Sequence, residues 1–346
     1  MKNKKLIGII AGVVIVFIIG VIIFYNVGIS SVSSKDEDVI VTVEQGSTSS
    51  SILDALDEAG LVKNKLCGQI FLKLNRYDHL QANTYILNKN MSLSDIFSLI
   101  ENPDIDHIVL SKLTIKEGTT IPEVAKEFAQ ILNISDDEVI KQWEDQAYLK
   151  SLIDEYWFID DSILNSEILY PLEGYLYPET YYITEKEPDL KSMTKLALDM
   201  MDEQLSVYRK DIEKLGWTPH QFLTFASIVE RESLYDEDRP IIAGVFMNRL
   251  NQDMLLQSDI TVNYAWQRTG VDVSVAHTQI DSRYNTYKYT GLPVGPISTI
   301  SKVTLESCIH YKHHDYLYFF AKEDGTVIYS RTYKEHKQVV KENKWY

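Results

Sequence analysis

From Leu6 to Tyr25 the chain carries no charged residue, and about 20 apolar residues are what a helix needs to cross the hydrocarbon core of a bilayer. Backbone polar groups in lipid must be satisfied within the segment, so this stretch has one structural option, a helix. Lys2, Lys4 and Lys5 precede it and Asp36, Glu37 and Asp38 follow it. The positive-inside rule then leaves residues 1–5 in the cytoplasm and everything after the span outside. A cleaved signal peptide would have a shorter apolar stretch of about 7–15 residues and an Ala-x-Ala-like site, which Tyr25-Asn26-Val27-Gly28 does not supply. The reading is an uncleaved single-pass anchor over residues 6–25 in the cell membrane, with the bulk of the chain extracellular.

Of 346 residues, roughly 310 lie beyond the span, enough for two domains with real cores. A net charge of -16 argues against nucleic acid as a partner and against tight adhesion to an anionic membrane surface. Cys67 and Cys308 are the two cysteines, too few for a disulfide scaffold, and two free thiols are favoured over one bridge. The 22 tyrosines and five tryptophans suit stacking on sugar faces, although core and interface packing is the commoner explanation for most such rings.

Residues 26–38 are rich in Ser and charge and read as a stalk. An internal repeat follows. Val41-Thr42-Val43-Glu44-Gln45-Gly46-Ser47-Thr48 with a helical stretch to Ala59 is echoed by Leu113-Thr114-Ile115-Lys116-Glu117-Gly118-Thr119-Thr120 with a helical stretch to Leu132. Each copy reads as strand, Gly turn and capped helix, and Thr120 and Glu123 have capping-box spacing. The first copy opens a small α+β module over residues 39–105, and the second opens a larger α+β domain over residues 106–346. Within the latter, Tyr170 to Tyr181 holds two prolines and a glycine among aromatics, which excludes a regular helix and suggests an ordered loop or edge strand, as core plug or ligand surface. Leu256 to Tyr264, Tyr284 to Tyr287 and Gly291 to Ile297 read as polar or stiff segments with turn chemistry. Tyr316 to Ala321, an Asp324-Gly325 turn and Thr326 to Ser330 read as a β-hairpin.

The run from Thr218 to Ser233 carries the strongest candidate for chemistry. Thr218 can cap a helix, Pro219 fits its first turn and Gln221 falls three residues after the cap. The following residues are apolar almost all round, so Glu230 at the far end is expected in a low-dielectric setting where a carboxyl tends to keep its proton. Ala226 and Ser227, one turn earlier, leave space beside it. Glu232 lies on another face and is expected to pair with Arg239 or Arg231 as a structural acid. Periodicity by itself does not separate the two acids firmly.

The ordered set Ala226-Ser227-Ile228-Val229-Glu230-Arg231-Glu232, Leu256-Gln257-Ser258-Asp259 with Thr261-Val262 and Tyr264, Tyr284-Asn285-Thr286-Tyr287, and Gly291-Leu292-Pro293 with Gly295-Pro296-Ile297 resembles the YceG-like family of endolytic murein transglycosylases. Leu172-Glu173-Gly174-Tyr175-Leu176-Tyr177-Pro178-Glu179-Thr180-Tyr181 and Tyr316-Leu317-Tyr318-Phe319 match the same pattern, so the resemblance covers essentially the whole chain. It implies a LysM-like module before the catalytic domain. It also implies cleavage of the β-1,4 bond between N-acetylmuramic acid and N-acetylglucosamine within nascent peptidoglycan strands, leaving 1,6-anhydro ends. Glu230 maps onto the catalytic glutamate, acting as acid and then as base, without metal or organic cofactor. Glu173, Ser258, Asp259, Thr261, Tyr264, Tyr284, Asn285, Thr286, Tyr287, Gly295 and Pro296 are implied to line the substrate groove. Peptidoglycan synthases of elongation or division are the implied protein partners.

The sequence departs from the family pattern at Ile260, at Val294, across Ser298 to His310, which lacks the usual Pro-Gly, and at Val327, where histidine is frequent. These departures fall in the substrate loops and the hairpin. His310, His313 and His314 lack the spaced carboxylate or fourth ligand of a zinc site. Two other functions stay open. One is a non-catalytic wall-binding scaffold, and the other is a muramidase-type hydrolase with Asp259 or Asp281 as second carboxyl.

Overall fold

The computed structural model describes residues 2–77, 79–268 and 276–343, and the side chains from residue 9 onward. The charges of Lys2, Lys4 and Lys5, on which the orientation rests, therefore lie outside the described side chains. The architecture is mixed α+β, with small antiparallel sheets and many helices. The chain divides into two compact units, residues 1–112 with 182–186, and residues 113–181 with 187–346.

In the first unit α1 (Lys2–Ile29) is one continuous helix, of which Ile9–Ile29 is long and apolar enough to cross a membrane. It continues beyond the expected end at Tyr25 to Ile29, and within it the Asn26 side chain donates to the Ile22 carbonyl. Tyr25 and Ile29 pack against the core of the unit. The segment expected as a stalk is bonded to that same body: Ser33 N–H donates to Lys89 O at 3.0 Å, and Asn88 Nδ2 donates to Asp36 Oδ1 at 2.6 Å. A hydrogen-bonded segment ordered on both sides cannot act as a loose spacer.

The rest of the unit is β1 (Asp38–Val43), α2 (Ser49–Glu58), α3 (Lys65–Leu74), β2 (Asn83–Asn88) and α4 (Leu93–Glu101). β1 and β2 pair antiparallel, with Val41 opposite Tyr85 and Val39 opposite Leu87. Strand alternation turns Val41, Val43, Tyr85 and Leu87 inward. They meet Ile52 and Leu56 of α2, Phe71 of α3 and Ile96, Phe97 and Ile100 of α4. Each helix start is written locally: Thr48 with Ser51 and Ser92 with Asp95 form capping boxes, and the Asn64 side chain caps α3.

β3 (Ser111–Thr114) pairs with β4 (Thr180–Ile183), and each strand carries the chain across the division between the units. The second unit continues with α5 (Ile121–Leu132), α6 (Asp136–Trp143), α7 (Gln146–Glu155), α8 (Leu190–Ser206), α9 (Arg209–Leu215), α10 (Pro219–Glu232), α11 (Arg239–Leu250), α12 (Asp259–Ala265) and α13 (Lys302–Ile309). The expected hairpin is β5 (Tyr318–Ala321) against β6 (Val327–Ser330), followed by α14 (Tyr333–Asn343). Residues 170–178 form turns and deliver the chain to β4. Their aromatics act as a core plug: Tyr175 is fully buried, stacks on Phe158 and His220, and its hydroxyl bonds His220 Nδ1 at 2.7 Å.

A further expectation is corrected. Residues 256–264 do not stay in turn conformation, because from Asp259 they wind into the short helix α12 behind Ser258. Thr261, Val262 and Tyr264 are buried there at helical spacing, and tertiary burial outweighs the weak helix propensity of the β-branched residues.

Candidate active site

α10 starts with the anticipated capping box, Thr218 with Gln221, and is buried from Phe222 through Glu230. It packs against α11, α12 and α13, which explains its apolar circumference. Glu230 is 7 % exposed. The setting is buried, as the preceding residues predict, and it also holds charged and polar partners. Arg239, the first residue of α11, places Nη1 3.1 Å from Glu230 Oε1, while Ser301 donates to Glu230 Oε2 from its backbone N–H at 2.9 Å and its hydroxyl at 2.7 Å. Ser301 is the N-cap of α13, so the carboxylate also faces the positive end of that helix. Arg239 is itself fixed, through Nε to Asp236 and through Nη1 to Thr304.

The Gly turn of the second repeat forms another wall. A Cβ added at Gly118 would lie 3.6 Å from Arg231 Cδ and 3.9 Å from Glu230 Cγ, and Arg231 Nη1 donates to Gly118 O. The turn is laced to the segment before α13, because Thr119 N–H donates to Thr299 Oγ1 at 3.0 Å and Thr299 N–H donates to Thr119 O at 2.8 Å. Glu117, next to this turn, has its carboxyl pushed up by partial burial and then by the charge of Glu230. Burial drives the Cys308 thiol of α13 well above its ordinary range, with the Glu230 charge adding to it. Both cysteines are buried and free.

Glu232 is likewise corrected. It makes no ion pair with Arg239 or Arg231 but accepts a hydrogen bond from Ser258 Oγ at 2.5 Å. Burial pushes its carboxyl up to about 7, with Ser258 opposing the rise and the charge of Asp259 adding to it. The pairing expected for Glu232 with Arg239 thus belongs to Glu230.

Most of the residues anticipated for the groove meet as a network beneath the surface. Ser258, Thr261, Tyr284, Asn285, Thr286, Gly295 and Pro296 are buried. Ser258 N–H donates to Thr286 Oγ1 at 3.0 Å, Thr261 and Thr286 hydroxyls lie 2.8 Å apart, and Asn285 Nδ2 donates to the carbonyls of Thr278 and Ile280. Tyr287 donates to Asp259 Oδ1 at 2.5 Å. Glu173 is 1 % exposed; its Oε2 accepts from Ile121 N–H and the Tyr264 hydroxyl, both at 3.0 Å, while its Oε1 is buried without a partner among the described residues. Burial drives the Glu173 carboxyl up to about 8 against those two bonds.

Beside Arg231 opens a cavity of about 300 Å³, whose lining includes Thr120, Lys126, Arg231, Tyr264, Arg268 and Ile297. Tyr264 is the one anticipated groove residue in this lining. The loop expected as its wall is shared between two places. Ile297 belongs here, whereas Gly291 to Val294 line a wider cavity of about 660 Å³ with Trp217 and His220, at the opposite end of α10. Sequence reasoning missed Ser301, Thr299 and Gly118 as parts of the site and gave Arg239 to the wrong acid. The helix-start spacing of Ser301 and Thr304 was a usable signal for the first.

The YceG-like family model matches residues 41–342. An endolytic murein transglycosylase of Bacillus subtilis strain 168 is 32% identical over 324 residues, covering 93% of this chain and 89% of the relative. An endolytic murein transglycosylase of Streptococcus pneumoniae strain R6 is 36% identical over 321 residues, covering 88% of this chain. The chain spans 58% of the length of that pneumococcal relative. Among solved structures, a YceG-like protein of Listeria monocytogenes is 32% identical with a TM-score of 0.64, over 88% of this chain and 100% of the other.

Proposed function

The chain belongs to the YceG-like family, and on that premise we propose that it is an endolytic murein transglycosylase, anchored by α1 and acting on peptidoglycan strands outside the cell. The observation that carries this reading is a buried glutamate, Glu230, fixed by Ser301 and Arg239 at the foot of the Gly118 turn, with a cavity lined by its chain neighbour Arg231. The names of the relatives supply the substrate class.

Glu230 acts twice. Carrying a proton, at the expense of its bond to Arg239, it donates to the oxygen between muramic C1 and the next sugar as the C1–O bond breaks. As carboxylate it then takes the proton of the muramic C6 hydroxyl while O6 bonds to C1, and the 1,6-anhydro ring closes without water. In that second half Arg239 and both Ser301 donors hold the carboxylate formed. One acid suffices, whereas ordinary glycosidases need two. The cavity beside Arg231 takes a sugar with its amide and carboxylate arms. The first unit is a LysM-like module that helps to hold the strand.

A second reading rests on Glu232, whose carboxyl is raised to about 7 with Asp259 nearby. Those two carboxyls suit a hydrolase that leaves reducing ends. Asp281 is a poorer partner, since it is exposed and bonded to Lys288 and Tyr289. Digestion of uncrosslinked glycan strands followed by mass spectrometry separates the two readings. Anhydro ends, one water lighter than reducing ends, are expected, and products with reducing ends alone would replace the lyase by the hydrolase. Protease added to intact protoplasts should degrade the portion after α1; its protection would overturn the orientation.

A further inference from the structure

We propose that the exposed face of α3 is a membrane-docking surface, so that the first unit rests on the lipid headgroups where α1 leaves the bilayer. The inference builds on the reading of α1 as an anchor. Leu66, Ile70 and Leu74 are 59%, 40% and 69% exposed, at four-residue spacing that makes them one stripe of the helix. The core of the unit is filled without them by Ile52, Leu56, Phe71 and Phe97. Lys65, Gln69 and Lys73 form the adjoining exposed row. An apolar stripe beside long cationic side chains is the pattern of a helix lying in the lipid interface, where Lys stems extend toward water.

The occupant follows from the position of α3 against α1. Lys63, just before α3, reaches Ser30 Oγ and Ser31 O. One step into the helix, Asn64 and Cys67 close on Gly28, where an added Cβ would collide with Cys67 Sγ. The same sulfur lies 3.8 Å from the carbonyl of Phe24. Along its sequence α3 therefore steps back down α1 into the apolar run, and Ile70 and Leu74 lie about one and two turns of 5.4 Å further. On the helix surface this stripe borders the Cys67 edge that faces α1. It is thereby continuous with Ile22, Ile23, Phe24 and Val27, each more than half exposed. A surface that continues a lipid-facing helix is covered by the same lipid. Tyr25 and Tyr77, both packed at the margin of the core, supply the interfacial aromatic rings common at this depth.

The test uses the full chain in phosphatidylethanolamine–phosphatidylglycerol vesicles with brominated acyl chains. An environment-sensitive fluorescent amino acid is incorporated singly at Ile70, Leu74, Val16 or Asn90, leaving Cys67 in place. Quenching at Ile70 and Leu74 should be several-fold stronger than at exposed Asn90 and weaker than at Val16 within the span. Strong quenching at Val16 with Ile70 and Leu74 equal to Asn90 would overturn the docking and leave the anchor standing. No quenching at Val16 would remove the anchor reading and the docking with it. Crosslinking of two chains through a photoreactive group at Ile70, without lipid quenching, would assign the stripe to a second copy and likewise overturn the proposal.

Discussion

The two copies of the strand, Gly turn and capped helix begin from the same local instructions and end in different employment. Both glycines adopt the left-handed region, Gly46 at φ +83 and Gly118 at φ +65, and both turns lead into a Thr-capped helix, Thr48 for α2 and Thr120 for α5. Around Gly46 an added Cβ would meet nothing within 4 Å, whereas at Gly118 it would touch Glu230 and Arg231. The first turn is a bend at the surface. The second is a wall of the candidate active site. Local sequence thus writes the turn, while a segment more than a hundred residues away decides what the turn is for.

The largest expected effect tests whether the acid at the second turn is the catalyst. Glu230→Gln should lower strand cleavage by about a hundredfold or more, the scale of a lost general acid-base. It should also lose stability, because removing one partner of a buried ion pair costs about 3–5 kcal/mol. The double variant Glu230→Gln/Arg239→Gln should regain much of that stability in thermal melts and remain inactive. Recovery of activity along with stability would make Glu230 structural and turn attention to Glu232.

The glycines themselves come next. Leucine at either position is forced into left-handed backbone, at about 1–2 kcal/mol, so both variants should unfold at lower denaturant. Only Gly118→Leu also drives a side chain against Glu230 and Arg231, and it should lose at least about tenfold in turnover, the loss expected for a misplaced catalytic group. Equal activities for Gly46→Leu and Gly118→Leu would remove the contrast.

A pH titration of stability separates the units by a smaller amount. Glu173 and Glu232 carry folded values near 8 and 7 against about 4.3 in an unfolded chain. Between those values the folded second unit binds more protons than the unfolded one, so its stability is greatest below about 4.3 and falls as pH rises through about 7 to 8. Among the described residues the first unit buries no acidic or histidine side chain. Chemical denaturation of the full chain should show one pH-sensitive transition, and Glu173→Gln should flatten its upper part. An unchanged slope in that variant would place the dependence elsewhere.

The caps should differ least. Thr48→Ala and Thr120→Ala each remove a capping box and should each lose about 1 kcal/mol. Thr120 also lines the cavity beside Arg231, so its variant should in addition raise KM slightly. A larger stability loss at Thr48 than at Thr120 would show that the two copies are not equivalent even locally.

How much was legible in the residues follows the same division. The long apolar helix at the N-terminus, the helix starts at Thr48, Thr120 and Thr218, the hairpin around Asp324-Gly325 and the repeat itself were readable, because each depends on groups within about four residues of one another or on a continuous apolar run. The burial of Glu230 was readable from the apolar sequence of α10. Its partners were not. Arg239 and Ser301 reach it from two other helices, and nothing in the run from Thr218 to Ser233 specifies that a guanidinium and a helix N-terminus will meet its last turn. The family resemblance implies that the polar motifs from Ser258 to Thr286 line a substrate groove. Folding satisfies those groups against one another, as buried polar atoms require. Sequence alone determined the long apolar helix, the capped helix starts and the hairpin, while residues 256–264 read as turn and fold into helix. Only the tertiary structure decided which acid meets Arg239 and which is pushed up by burial, since desolvation and charge pairing depend on atoms that the chain brings together from far apart.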